Sequence, residues 1–280
     1  MSMSIPNGFG RRRIENLLPP SLRENMGDDS GHPEAAVPRG ASGIERERDD
    51  QVRSGDFRSR YEHISRYSEA SGTRWGVVAD IGCGTGYGSA QLRQLNQVVG
   101  IDISTDALVY AREHYGGSDF VQGSAQSIPL ADGVADAVTA FEVLEHVKDP
   151  ELLVEECHRI LRKGGRLFIS SPNPAHFANV VKHHLLRRRI PLKVDPNNPY
   201  HLREFSNDEF RSVLISKGFE IILERGQTLP VDLIIPMSWQ LRTKLIEALG
   251  LHEIYDWVLS RLGEKFPRYS WTVVICGRRL

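Results

Sequence analysis

Apolar positions along the chain fall into two alternating patterns from about residue 57 onward. Short apolar runs bounded by glycine or polar residues predict buried strands at 77–81, 97–101, 118–121, 135–141, 165–170, 219–225 and 271–276. Apolar residues spaced three and four apart predict helices at 57–71, 87–95, 105–115, 151–162 and 207–217. Strands that alternate with helices of this length indicate βαβ units. The predicted fold class is therefore α/β, a doubly wound seven-stranded sheet with helices on both faces.

Two connections between these elements are too long to be simple loops, residues 172–205 and 227–269. Connections in such folds usually run about 2–6 residues, and longer ones tend to be lids or binding elements. We expect both insertions to shape an acceptor pocket, with helices near 238–249 and 252–262 in the second. Aromatic residues there are predicted to be core or dimer-contact residues, which makes 227–269 the expected homodimer surface: Trp239, Trp257 and Phe266.

Residues 1–56 differ from the rest of the chain in composition. They are rich in glycine, proline, serine and charged residues, with few apolar side chains after Leu22. Such a segment buries too little apolar surface to offset its ordering entropy. We expect a flexible tail whose removal leaves the fold intact, followed by one domain over 57–280. The alternative is a docking segment or lid.

Composition and net charge limit the partners and the cellular compartment that we expect for the protein. The 280 residues carry a net charge of −1, which disfavours nucleic acid or another polyanion as partner. The cysteines Cys83, Cys157 and Cys276 are odd in number and far apart, as is typical of a reducing compartment. We find no apolar run near the roughly 20 residues of a membrane span, and no apolar signal segment in the first ten residues. A cytoplasmic protein is expected.

A glycine-rich loop follows the first core strand, within Val78–Gly86. Gly82 and Gly84 let the backbone approach a ligand, and Gly86 permits close packing where the next helix begins. The spacing differs from the dinucleotide pattern, and the preceding Asp80 would repel a pyrophosphate but attract a cationic amino-acid ligand. About 20 residues later, Asp102 ends the next strand, where a carboxylate can accept both ribose hydroxyls.

Residues 76–170 resemble the core of class I S-adenosylmethionine-dependent methyltransferases. The resemblance is carried by ADIGCGTGYG, VVGIDIS, GSAQSIPLADGVADAV, FEVLEHVKDP and LRKGGRLFISSPN, in the family's order. It implies a Rossmann-like fold, S-adenosylmethionine as cofactor and a methyl-transfer reaction.

The same resemblance assigns cofactor contacts residue by residue. Gly82, Gly84 and Gly86 would line the methionine and ribose portion, and Asp102 would bind the ribose hydroxyls. Ser124 stands where many relatives have aspartate, so the adenine amino group would be bound through backbone instead. The remaining expected cofactor residues are Asp80, Ile103, Ala125 and Phe141.

A cluster of acids and histidines follows the fourth strand. Glu142, Glu145 and His146 are spaced i, i+3, i+4 and share one face of a helical turn, while His201 ends the first insertion. Two carboxylates and two imidazoles suit a divalent ion such as Mg²⁺, Mn²⁺ or Zn²⁺. The cluster resembles the metal site of small-RNA 3′-terminal 2′-O-methyltransferases and of ubiquinone-pathway O-methyltransferases. In the alternative, metal-free site, His146 or His201 is the general base.

The expected reaction is methyl transfer to a hydroxyl of a small molecule, with a sugar or natural-product scaffold ahead of a quinone-like phenol. One alternative is RNA 2′-O-methylation, against which the near-neutral charge counts. The other is a non-catalytic cofactor-binding subunit, against which the intact glycine loop and Asp102 count.

Overall fold

The computed structural model describes most of the predicted domain and a short piece of the segment before it. Residues 182–200 and 230–247 of the two predicted insertions, including Trp239 and most of the predicted helix 238–249, lie outside the described residues. The described residues are 16–23, 60–61, 64, 67–68, 71–73, 75–93, 97–177, 179–181, 201–229, 248–250 and 252–280.

A seven-stranded sheet forms the centre of the protein, in the order β3-β2-β1-β4-β5-β7-β6. The first five strands pair in parallel, and β7 runs antiparallel to both β5 and β6. The predicted fold class is confirmed. The strands are β1 Val77–Ile81, β2 Gln97–Asp102, β3 Asp119–Gln122, β4 Ala135–Phe141, β5 Leu161–Pro172, β6 Phe219–Gly226 and β7 Thr272–Arg279.

The helices begin at side chains that satisfy their exposed amide groups. The Ser104 and Asp149 side chains accept hydrogen bonds from the first turns of the helices that follow them, and Ser206 forms a capping box with Glu209. Among the described residues, the helices are α1 Pro20–Arg23, α2 Tyr87–Leu92, α3 Thr105–His114, α4 Pro150–Ile160, α5 Asn207–Ser216 and α6 His252–Lys265. No helix in the described part of the chain is both long and apolar enough to cross a membrane.

The parallel strands place the predicted site residues at one edge of the sheet. β1, β2, β4 and β5 are adjacent and point the same way, so their carboxyl ends meet. Their interior residues are almost fully buried on both faces, as the continuous apolar runs predict, except for the exposed residues 162–164 near the start of β5. In open α/β sheets, ligands bind outside this edge.

Part of the predicted tail packs against the domain. Leu17 and Leu18 are buried and belong to the same apolar cluster as Ile128 and Leu130. The Ala131 amide donates a hydrogen bond to the Leu17 carbonyl oxygen (2.8 Å). Residues 16–23 therefore pack against the domain, where the sequence predicts a flexible tail, and the two leucines contribute apolar burial to this packing. The remainder of 1–56 lies outside the described residues, and the domain boundary stays a prediction.

Of the two roles predicted for the aromatic residues near α6, core packing or dimer contact, the structure excludes core packing for Trp257 and Phe266. The Trp257 side chain is 61% exposed and Phe266 is 42% exposed, so neither is a core residue. The helix is held by other residues, because Leu259 is buried and its carbonyl oxygen accepts a hydrogen bond from the Leu229 amide. A homodimer contact through 227–269 remains a prediction.

Replacing Leu18 with alanine tests the packing of the N-terminal segment. The side chain is fully buried, so Leu18→Ala should lower the free energy of unfolding by about 2–5 kcal/mol, measured by urea denaturation. Leu280→Ala, at a side chain that is 64% exposed, serves as control and should change stability by less than about 0.5 kcal/mol. Equal, small effects of both substitutions would show that residues 16–23 do not pack in solution.

Candidate active site

The glycine loop between β1 and α2 requires glycine for steric as well as conformational reasons. Gly82 and Gly86 have φ angles of 69° and 85°, in the left-handed region. A Cβ atom on Gly82 would lie 2.5 Å from the Val143 side chain, and one on Gly86 would lie 2.7 Å from Ala111 Cβ. The loop can therefore lie directly against its neighbours, with Gly82 exposed, Gly84 half-buried and Gly86 buried.

Asp102, at the end of β2, orients this loop. Its Oδ2 accepts a hydrogen bond from the Gly84 amide (2.9 Å), and its Oδ1 accepts one from the Ser104 amide (2.8 Å). A carboxylate oxygen can accept a second hydrogen bond, so both oxygens still suit the two hydroxyls of a ribose. The next side chain, Ile103, is 73% exposed and offers an apolar surface that suits one face of an adenine ring.

A tight turn lies beside Asp102 at the predicted adenine edge. The Gly123 amide donates to the Asp102 carbonyl oxygen (2.9 Å), which fixes the start of the turn. The Ser124 hydroxyl accepts a hydrogen bond from the Gln126 amide (3.1 Å), so it stabilises the turn itself. Ala125 is half-buried and packs against the main apolar cluster.

Asp80 lies behind the glycine loop instead of on its surface. Its carboxylate is 1% exposed and accepts hydrogen bonds from Ser89 (2.6 Å), Thr139 (2.6 Å) and the Tyr61 hydroxyl. Burial raises its pKa to about 6. The predicted attraction of a cationic ligand therefore does not involve a surface carboxylate. Phe141 is likewise buried, with its ring edge-to-face with Tyr61 at 5.1 Å between centroids.

The chain turns sharply after β4 at Glu142, whose φ of 54° is strained for a residue with a side chain. Its amide donates to Ser170 Oγ (3.1 Å), which in turn donates to Glu142 Oε1 (2.8 Å). Arg60 Nη1 lies 3.5 Å from the same oxygen, and Arg60 Nε donates to Gln227 Oε1 (2.5 Å). Glu142 is thus fixed by one hydroxyl and one buried guanidinium.

Three of the four predicted metal ligands come together. Glu145 and His146, in a 3₁₀ turn spanning Leu144–His146, each place a ligand atom within 4.8 Å of the other and of His201. The His146 and His201 rings are 4.9 Å apart between centroids and nearly perpendicular. The described residues do not place Glu142 in this group, because its carboxylate is held by Ser170 and Arg60.

Glu145 is the most unusual of these groups electrostatically. Its side chain is fully buried, and within the described part of the chain neither carboxylate oxygen has a hydrogen-bond partner. Burial, and next the charge of Glu142, raise the pKa of Glu145 well above its usual value. An unpartnered buried carboxylate is costly, and a cation bound by Glu145, His146 and His201 would offset that cost.

The two halves of the site adjoin. Val143 lies between Glu142 and the 3₁₀ turn, and its side chain lies against Gly82 of the glycine loop. The acid–histidine cluster is thus next to the loop predicted to bind the cofactor. This is the arrangement that a group transfer from cofactor to acceptor requires.

Sequence reasoning missed four residues of this site. Arg60 and Gln227 form a pair across 167 positions, for which no local pattern exists. Ser170 was predicted only as a strand residue, without a role for its hydroxyl. Glu204 lies three residues after His201, and this spacing could have predicted the hydrogen bond between the two side chains, which is 2.8 Å long.

The buried charge of Asp80 predicts a specific pH dependence. Because its pKa is raised from 3.8 to about 6, the folded protein binds more protons than the unfolded chain between those values. This group's contribution to stability therefore falls as pH rises through that window. Relative to wild type, Asp80→Asn should gain about 2 kcal/mol of unfolding free energy between about pH 4 and pH 7, measured by urea denaturation. The exposed Asp106→Asn is the control, and a stability difference for Asp80→Asn that does not change with pH would contradict the assignment.

Comparison with known proteins supports a methyltransferase core. The family described as a methyltransferase domain matches residues 79–169. A probable S-adenosylmethionine-dependent methyltransferase of Mycobacterium tuberculosis (strain CDC 1551 / Oshkosh) is 35% identical over 143 residues, 51% of this chain and 48% of the relative. A ubiquinone biosynthesis O-methyltransferase of Xanthomonas oryzae pv. oryzae (strain PXO99A) is 35% identical over 52% of this chain and 62% of the relative. The matched region thus spans about half to two thirds of these curated relatives.

Solved structures show the same fold. An S-adenosylmethionine-dependent methyltransferase from Mesorhizobium loti superposes with a TM-score of 0.52 at 16% identity, over 81% of this chain and 99% of that one. At such low identity the likeness shows the fold alone. Over residues 79–169, the core of this chain is similar to the methyltransferase domain.

Proposed function

We propose that the chain is an S-adenosylmethionine-dependent methyltransferase that methylates a hydroxyl group of a small-molecule acceptor with a sugar or natural-product scaffold. The observation that carries the proposal is the contact between Gly82 and Val143, since the 3₁₀ turn with Glu145 and His146 begins one residue after Val143. Transfer is then a matter of holding the acceptor in line with the donor and excluding water.

The cofactor half of the site binds and orients. Gly82 and Gly84 would lie against the bound cofactor, Asp102 would accept from the ribose hydroxyls, and Ile103 would cover one adenine face. The buried Gly86 lets α2 begin close to Ala111. When bound, S-adenosylmethionine supplies a methyl group on a positively charged sulfur. Asp80 and Thr139 support the loop from behind, so the binding surface is preorganised.

The acceptor half of the site consists of Glu145, His146 and His201, and its role is to remove the proton of the acceptor hydroxyl. A hydroxyl oxygen that takes a methyl group must lose its hydrogen, and the ordinary pKa of a hydroxyl is far above neutral. Glu145, His146 and His201 suit this step in either of two ways. They would hold a divalent ion, which would lower the pKa of a hydroxyl beside it, or one imidazole would accept the proton directly.

The preference for an oxygen acceptor is supported by this chemistry and by one relative. A neutral hydroxyl oxygen is a weaker nucleophile than a neutral amine, so a hydroxyl acceptor gains more from the basic or cationic group that the cluster would provide. The Xanthomonas relative carries the name of a ubiquinone biosynthesis O-methyltransferase. A panel of sugars, phenols and RNA 3′ ends, incubated with cofactor labelled in the methyl group, identifies the acceptor class.

Replacing Asp102 tests the cofactor half. Asp102→Ala removes an ionised acceptor and should weaken binding of S-adenosylmethionine by about 1.5–3 kcal/mol, roughly 10- to 150-fold, in calorimetric titration. The exposed Asp106→Ala is the matched control and should bind as wild type does. Unchanged affinity in Asp102→Ala would show that the ribose binds elsewhere.

Chelation and histidine substitution together test the acceptor half. In the metal version, a chelator should abolish turnover while cofactor binding persists, and added Mg²⁺ or Mn²⁺ should restore it. In the metal-free version, the chelator has no effect and loss of the basic histidine costs about 10²–10⁴-fold in kcat. Near-wild-type turnover in both His146→Ala and His201→Ala would contradict both versions, since catalysis would then not depend on the cluster.

A further inference from the structure

His201 is held by a second buried carboxylate outside the group of three. Its Nδ1 lies 2.8 Å from Oε1 of Glu204, and the two side chains are 11% and 7% exposed. Among the described residues, the hydrogen-bond partner of the Glu204 carboxylate is His201. The nearby Arg203 is directed away, with its guanidinium 3.7 Å from Glu209 and over the Phe205 ring.

The segment that carries this pair is fixed to the cluster through the backbone. The Leu202 amide donates to the carbonyl oxygen of Glu145 (2.7 Å), and the Arg203 amide lies 3.5 Å from the same oxygen. Phe205 is 2% exposed and belongs to the main apolar cluster. His201 and Glu204 therefore lie on either side of a contact with Glu145, and their positions relative to it are set by the fold.

The pairing determines which nitrogen of His201 carries the lone pair. A neutral imidazole has one N–H, and an ionised carboxylate can only accept a hydrogen bond. With Glu204 ionised and His201 neutral, Nδ1 carries the hydrogen and donates to Glu204, which makes Nε2 the nitrogen with the lone pair. A lone pair on a ring nitrogen is what either a cation or a hydroxyl proton requires.

We propose that Glu204 is a positioning residue that holds His201 in the Nδ1–H tautomer, with the ring oriented so that Nε2 serves the acceptor hydroxyl or its bound ion. The inference rests on the proposed function of the cluster. A carboxylate at this depth costs desolvation energy, and its hydrogen bond to an imidazole that becomes positively polarised offsets that cost. The effect on the reaction is indirect, through the ring of His201.

The tautomer can be read without any turnover. In protein labelled with ¹⁵N-histidine at about pH 8.5, where ordinary imidazoles are neutral, the His201 resonances are assigned by their loss in His201→Gln. We expect a protonated Nδ1 and an unprotonated Nε2 in the wild type. In Glu204→Gln, the amide can donate as well as accept, so the Nε2–H tautomer should gain population. Glu113→Gln, at an exposed acid on α3, is the control and should leave the His201 resonances unchanged.

The kinetic arm separates positioning from a general structural effect. Glu204→Gln should lower kcat about 10- to 100-fold while the Kd for S-adenosylmethionine and the melting temperature stay near the wild-type values. An Nε2–H tautomer in the wild type, or a Glu204→Gln variant with unchanged tautomer and kcat, would overturn the proposal. Failure of the proposed function looks different, because the wild type would then methylate no acceptor while its His201 tautomer remained measurable.

Discussion

The buried carboxylate of Asp80 joins the elements on which the site stands. It belongs to β1 and accepts hydrogen bonds from Thr139 in β4, from Ser89 in α2 and from Tyr61 in the helical segment before the sheet. A buried charge is tolerated when donors surround it, and removing one donor is costly. These contacts therefore fix the start of α2 and the end of β4 relative to β1. The glycine loop and the acid–histidine cluster begin at those two places.

The two halves of the site use different physical means. The cofactor half depends on backbone, with left-handed glycines that have no room for a Cβ atom. The acceptor half depends on side chains in costly states: the positive φ of Glu142 and the unpartnered buried oxygens of Glu145 among the described residues. Natural proteins retain such strain where function requires it. The surrounding Ser170 and Arg60 contacts hold Glu142 in place.

Local patterns were sufficient for the central strands and insufficient at their ends. β1 and β4 match their predicted ranges, because an apolar run with polar or glycine flanks defines a buried strand. β5 was predicted at 165–170 but spans Leu161–Pro172, since Leu161 pairs with Ala135 beyond an irregularity and Pro172 pairs with Thr272. The antiparallel direction of β7 has no counterpart in an apolar run, which carries no direction.

In the site, too, residues defined by a local pattern could be predicted, and residues defined by a distant partner could not. The positions of Gly82, Gly86 and Asp102 at the carboxyl ends of β1 and β2 could be predicted, because a strand, a turn and a spacing within about 20 residues define them. Arg60 could not, since an arginine in a polar helix suggests a surface position until its partner Gln227 is known. The packing of Leu17 and Leu18 was not predicted, because the residues around them are mostly polar.

A crystal structure with the demethylated cofactor product bound tests the central claim most directly, namely that cofactor and acceptor chemistry meet where Gly82 contacts Val143. We expect the ribose hydroxyls on the Asp102 carboxylate, the adenine against Ile103, and the sulfur facing Glu145, His146 and His201. A ribose bound away from Asp102, or a sulfur directed away from the acid–histidine cluster, would contradict the claim.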